Sequence, residues 1–190
     1  TEKNVTQEKK SIYNDFKINQ KEYYYIWNIK NQNMKYESID SKLFIKNRTN
    51  FSKEMKKNSV AFFNSNDIYP VSADSTLPFE QHRDIFYLSG IDQEESILVL
   101  SPDNPNPELR EILFLKETND HIAVWEGPKI NKRQALEISG IKTVFWLNDL
   151  EKVIDKLVSS CKNIYINKNE HYRAKIETET REARFNSWLV

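Results

Sequence analysis

Glycine is scarce in this chain: Gly90, Gly127 and Gly140 are the only three in 190 residues. They lie too far apart for the GxGxxG turn of a dinucleotide site, a phosphate-cradling P-loop or the GxSxG elbow of a serine hydrolase. Cysteine is scarcer still. Cys161 alone closes no intramolecular disulfide and builds no multi-cysteine metal site, which fits a reducing compartment. No stretch approaches the ~18 apolar residues of a membrane span, and the start lacks the apolar core of a signal peptide. An excess of one charge is also missing. The 28 Lys and Arg offset 28 Asp and Glu, so no global field draws nucleic acid or an anionic membrane. What is present suits a folded domain: 38% hydrophobic and 12% aromatic residues, too many for a wholly disordered chain.

The chain divides by composition. Residues 1–33 contain no Ala, Gly, Pro, Leu, Arg, Met, His or Cys, and six lysines against four carboxylates give them a charge of about +2. Tyr23-Tyr24-Tyr25-Ile26-Trp27 could form a β-prone arm or an aromatic docking segment. The expectation is a poorly ordered N-terminal appendage, because a terminus without a packing partner is usually mobile. At Met34 the composition changes and amphipathic patterning begins, so one domain is expected over 34–190.

Within that domain helical and extended patterns alternate. Asp40 or Ser41 can cap a helix over 42–57 with Phe44, Phe51 and Met55 on one face. Val60–Phe63, Phe86–Leu88, Ile97–Leu100, Ile112–Leu115, Ile122–Trp125, Thr143–Trp146 and Ile164–Ile166 read as strands. Residues 67–82 read as a long connection. Asn131 with Gln134 forms a capping box for a helix over 132–139 that ends at Gly140. Asn148 with Glu151 predicts a second such box, opening a helix that buries Leu150, Val153, Ile154, Leu157 and Val158. A last helix is expected over 172–188, supported by the Glu177–Arg181 pair. No internal repeat is visible. The pattern predicts an α/β fold, a mixed β-sheet flanked by helices and covered on both faces.

The residues alone give no complete active site. His82, His121 and His171 lack metal-ligand spacing on any one element. Cys161 reads as a small buried apolar residue, since nothing nearby would activate a nucleophile. Asp74, Glu80, Asp84, Asp92, Glu94 and Glu95 form a local acidic cluster. It could supply a carboxylate pair for acid–base work, but it reads better as a solvated loop.

Three stretches taken in order carry a resemblance. The first is Ser72-Ala73-Asp74-Ser75, continued by Pro78-Phe79-Glu80-Gln81-His82-Arg83-Asp84-Ile85-Phe86-Tyr87-Leu88-Ser89-Gly90. The second is Ile97-Leu98-Val99-Leu100-Ser101-Pro102. The third is Val124-Trp125-Glu126-Gly127-Pro128-Lys129. Together they resemble the N-terminal domain of aminopeptidase P (Xaa-Pro aminopeptidase), shared with creatinase and prolidase, and its Bacteroidetes-type versions most. Residues 1–33 lie outside the match. Glu80 departs from it, standing where the family commonly has Arg.

The resemblance implies a ribonuclease-H-like arrangement for the domain. It also implies a parent metallopeptidase, cytoplasmic, that removes the residue preceding an N-terminal proline. Two manganese ions would sit in a following pita-bread domain absent from this chain, so no catalytic or metal-binding residue is expected here, and the 190 residues alone should be inactive. This domain would shape the substrate entrance and mediate contacts in a homo-oligomer, a dimer or tetramer, acting on proline-containing peptides. Neither nucleic acid nor membrane is an implied partner. Trp125 matches the family's Trp-x-Gly tryptophan, which reaches toward a neighbouring subunit's active site. Two roles stay open for it: such a lid, or packing at the end of its strand. Asp84, Tyr87 and Gly90 would be structural, as strand ending, core aromatic and turn. The alternative function is a non-catalytic protein- or peptide-binding module of the same fold.

Overall fold

The computed structural model describes residues 38–73 and 75–167, with the backbone alone for Asp120 and Trp125. The boundary expected at residue 33 and the helix expected over 172–188 lie outside these residues.

Helix α1 spans Ser41–Glu54, and the Asp40 carboxylate caps it by accepting from the Lys42 amide at 2.9 Å. Strand β1 (Ser59–Asn64) follows, then a small antiparallel ribbon, β2 (Pro70–Ser72) and β3 (Ser75–Thr76), inside the expected long connection. The order continues with α2 (Arg83–Ser89), β4 (Ile97–Leu100), β5 (Glu111–Leu115), α3 (Asp120–Glu126), α4 (Lys132–Ser139), β6 (Thr143–Trp146), α5 (Leu150–Val158) and β7 (Asn163–Ile166).

Five strands form one mixed sheet in the order β6-β5-β4-β1-β7, antiparallel at the centre and parallel at both flanks. Side chains alternate across a strand, so the central strands feed two cores. Ala61, Phe63, Leu98, Leu100, Leu113 and Leu115 pack with Ile85, Leu88 and Ala135 from the helical layer. Val60, Val99, Ile112 and Phe114 pack with Leu157 of α5 on the other face. Burial on both faces explains why β4 and β5 are nearly continuous apolar runs. Strand β7 departs from that expectation, because Ile164 and Ile166 are exposed.

Two expected strands are helices. His82 Nδ1 accepts from the Asp84 amide at 3.3 Å and starts α2, which buries Ile85, Leu88 and Ser89 at helical spacing and ends at Gly90 in the left-handed region. Tyr87 is therefore no core aromatic: it is 59% exposed on the outer side of α2. Asp84 is no strand ending but lies in the first turn of that helix, while Gly90 keeps its turn role. The second case is α3, where Asn119 Oδ1 accepts from the amides of His121 and Ile122 at 3.0 and 2.9 Å. In both places a local cap outweighs the strand preference of β-branched and aromatic residues. The second capping box is absent too. Leu147–Asp149 forms a 3-10 turn instead, and Asp149 starts α5 without a side-chain cap.

The fold brings two like helix ends together. Helices α2 and α4 both end in Ser-Gly-Ile, and both ends sit against α1. Arg48 of α1 joins them: its Nη1 donates to Leu88 O at 2.8 Å and Ser139 O at 3.0 Å. Its Nε donates to Glu111 Oε2 at 3.0 Å, and Nη2 adds a 2.9 Å charge contact with the same oxygen.

Candidate functional site

The first and third motif stretches meet beside the segment that follows α2. Gln81 starts the assembly. Its Nε2 donates to Ile91 O at 3.1 Å and Gln93 O at 2.8 Å, while its Oε1 accepts from the His82 amide at 2.8 Å. One carboxamide thus ties the entry of α2 to the chain leaving it. Ser96 Oγ donates to Gln93 O at 2.8 Å and rounds off the turn. Glu95 holds a left-handed φ of 51°, a conformation costing a non-glycine residue roughly 1–2 kcal/mol. In this turn Gln93 and Glu94 are buried and Glu95 is exposed.

Those inward groups hold the third stretch. Gln93 Oε1 accepts from the Ile130 amide at 2.6 Å. Lys129 pairs with Glu94, their side chains only 14% and 11% exposed. Lys116, just beyond β5, lies 2.8 Å from Glu126 and 3.7 Å from Glu95. The hydrogen bond from Lys116 holds the Glu126 carboxyl below its usual range, and the same bond raises the Lys116 ammonium above its own. Between these anchors Gly127 takes φ 78° and ψ 170°, a backbone region essentially closed to residues with a Cβ. The Trp-x-Gly spacing follows from that: the chain must leave α3 through a glycine two residues after Trp125.

Trp125 lies in the last turn of α3, not at the end of a strand, and the neighbouring Val124 is 76% exposed. The other expected candidates scatter. His82 caps α2, His121 is exposed on α3, and His171 lies outside the described residues, as does Asp74. Cys161 is half-buried beside the α5 core, its Sγ donating to Val158 O at 3.3 Å. The acidic cluster is not one solvated loop. Glu80, Asp84, Asp92 and Glu95 are exposed, but Glu94 is buried against Lys129. Composition flags neither Gln93 nor Lys116, since each acts through a contact far along the chain. Lys129 lies inside the quoted motif, which hints at a role but names no partner. Among the described residues no three His, Cys, Asp or Glu side chains gather around a point that could hold a metal ion. They do not fit a manganese site.

The fold and the site define a mixed-sheet α/β domain that presents a tethered turn. The family model for the aminopeptidase P N-terminal domain matches residues 44–165, and the chain belongs to that family. Among curated proteins, 95 residues are 28% identical to human Xaa-Pro aminopeptidase 3, covering 49% of this chain and 19% of that protein. The Saccharomyces cerevisiae intermediate cleaving peptidase 55 is 28% identical over 125 residues, covering 64% of this chain and 24% of its own. Escherichia coli Xaa-Pro aminopeptidase is 24% identical over 140 residues, covering 73% and 31%. Among solved structures, E. coli aminopeptidase P with the inhibitor Pro-Leu superposes with a TM-score of 0.63 at 21% identity, covering 79% of this chain and 35% of that one. An aminopeptidase from Pseudomonas aeruginosa gives 0.64 at 19% identity, covering 80% and 32%. At these identities the structural likeness carries the fold. The chain spans less than a third of the length of these curated relatives. No helix among the described residues is long and apolar enough to cross a membrane.

Proposed function

We propose that this chain is the N-terminal domain of a metal-dependent Xaa-Pro aminopeptidase acting on proline-containing peptides in the cytoplasm. Its part is to shape the substrate entrance and to make contacts within a homo-oligomer. The two manganese ions and their ligands belong to a pita-bread domain outside these 190 residues. Family membership across residues 44–165 carries this reading. The tethered turn after Trp125 supports the tryptophan's part in it. An indole presents a large rigid apolar face that can stack on a proline ring and exclude water. In this role Trp125 closes the entrance of a neighbouring subunit.

The test uses the full-length protein and this chain side by side. The full-length protein should hydrolyse Xaa-Pro peptides with manganese, and the 190-residue chain should not. Trp125→Ala in the full-length protein should raise KM about tenfold, the loss of one aromatic contact of ~1.4 kcal/mol. Turnover by the 190-residue chain would overturn the division of labour. Full-length protein that binds proline peptides without cleaving them would favour a non-catalytic binding module.

A further inference from the structure

Three consecutive interactions secure the chain directly after Trp125. Glu126 is held by Lys116, Lys129 by Glu94, and the Ile130 amide by Gln93. The anchors differ in kind. The Lys116 bridge is partly exposed and gains little in water. The Lys129–Glu94 pair is mostly buried, and burying both charges offsets much of their attraction. Such a pair adds little net stability against an apolar substitute, but it permits one geometry, since a displaced partner leaves a buried charge alone. It lies four residues beyond the tryptophan, on the far side of Gly127, whose φ of 78° and ψ of 170° turn the chain out of α3. The segment supplying Glu94 and Gln93 is itself fixed by Gln81, so the turn is referenced to the start of α2 and, through it, to the sheet.

We infer that Lys129 is a positioning residue for the Trp125 turn: paired with Glu94 and assisted by Gln93, it sets where α3 delivers Trp125 at the substrate entrance. The inference deepens the proposed function and rests on the entrance role assigned to Trp125. Lys129 touches no substrate. It acts through the backbone of residues 126–130, so its loss should impair capture of the peptide and leave the chemical step alone.

Two measurements separate this inference from the reading it rests on. The first is hydrogen exchange on the 190-residue chain. Lys129→Met keeps the stem and removes the charge. It should speed exchange of the Ile130 amide about tenfold or more while the amides of Leu98 and Leu113 keep their protection. The second is steady-state kinetics of the full-length protein. Lys129→Met should raise KM for an Xaa-Pro peptide about three- to tenfold with kcat within about twofold, Lys129→Arg should restore most of it, and Glu94→Gln should reproduce the defect. In a Trp125→Ala background Lys129→Met should add nothing further. Unchanged exchange at Ile130 overturns the inference. So does a normal KM in Lys129→Met when Trp125→Ala is defective, or a Lys129→Met effect that persists in full without Trp125. A Trp125→Ala protein with unaltered kinetics removes the entrance role itself, and the Ile130 exchange then still decides whether Lys129 orders the turn.

Discussion

Arg48 lies fully buried under the helical layer, and Lys129 lies 14% exposed under the Trp125 turn. Both are cations drawn out of water, but their surroundings differ. The guanidinium of Arg48 reaches the terminal carbonyls of two helices, where aligned peptide dipoles concentrate negative charge, and it also meets Glu111 at the start of β5. Its planar fork of five donors joins α1, α2, α4 and β5 at one point. The ammonium of Lys129 meets one carboxylate, and that carboxylate comes from a loop. The fork fastens the body of the domain together. The point charge sets one turn on its surface.

Removing each cation tests that distinction. Arg48→Met leaves Glu111 without its partner and two buried carbonyls without a donor, at a cost of about 3–5 kcal/mol. At about 2–4 °C per kcal/mol for a domain of this size, Tm should fall by roughly ten degrees or more. Lys129→Met combined with Glu94→Met, which leaves no buried charge alone, should lower Tm by a few degrees at most. Thermal unfolding of the two variants is the comparison to run, and equal falls would erase it.

The twin helix ends sharpen the comparison inside the Arg48 region. Ser89 Oγ donates to Ile85 O at 2.6 Å and accepts from the Ile91 amide at 3.2 Å; Ser139 Oγ donates to Ala135 O at 2.6 Å and accepts from the Ile141 amide at 3.0 Å. The neighbours differ. A Cβ on Gly90 would stand 2.3 Å from the buried ring of Phe44, whereas one on Gly140 would stand 2.7 Å from the tip of Ile45, a side chain with room to turn aside. Left-handed strain of ~1 kcal/mol is common to both alanine variants. Overpacking against Phe44 adds roughly 1–3 kcal/mol to Gly90→Ala alone. Denaturant unfolding should therefore rank Gly90→Ala below Gly140→Ala. Equal losses would mean that Phe44 yields as readily as Ile45.

How much of this was legible in the sequence follows from how far each device reaches. Helix α4 and strand β6 agree with expectation to the residue, because the capping box of Asn131 and Gln134 and the stop at Gly140 are contacts among near neighbours. The runs Phe86–Leu88 and Ile122–Trp125 look extended by composition. The caps that make them helices, His82 and Asn119, stand just outside the runs and carry the deciding information. The site was legible only in part. Trp125 is marked by its resemblance to the family's Trp-x-Gly motif, but its support is not. Glu94 and Lys129 are 35 residues apart, and Arg48 and Ser139 are 91 apart. No spacing rule joins such pairs, so Glu94 reads as one more solvated carboxylate until the fold buries it.

The smallest expected effect concerns the outer anchor of the turn, and it differs from the inner one by its response to acid. The carboxyl of Glu126 is held below its ordinary 4.5 by the hydrogen bond from Lys116, so the bridge contributes in full above that value and is lost as pH falls through the lowered one. Lys116 is raised above its ordinary 10.5 by the same bond, so its share is full below that value and is lost only as pH rises through the raised one. The bridge is therefore intact across neutral pH and opens at the acid end first. Both side chains are partly exposed, which keeps the effect small. Hydrogen exchange at the Ile130 amide, which is bonded to Gln93 in the same turn, should rise as the pH is lowered from about 5 to about 3, after correction for the intrinsic rate, before Leu98 responds. Glu126→Gln should remove that step, leaving Ile130 already faster at neutral pH and flat below it. If the substituted chain keeps the same acid step, Glu126 is not its source, and the outer anchor contributes nothing to holding the turn.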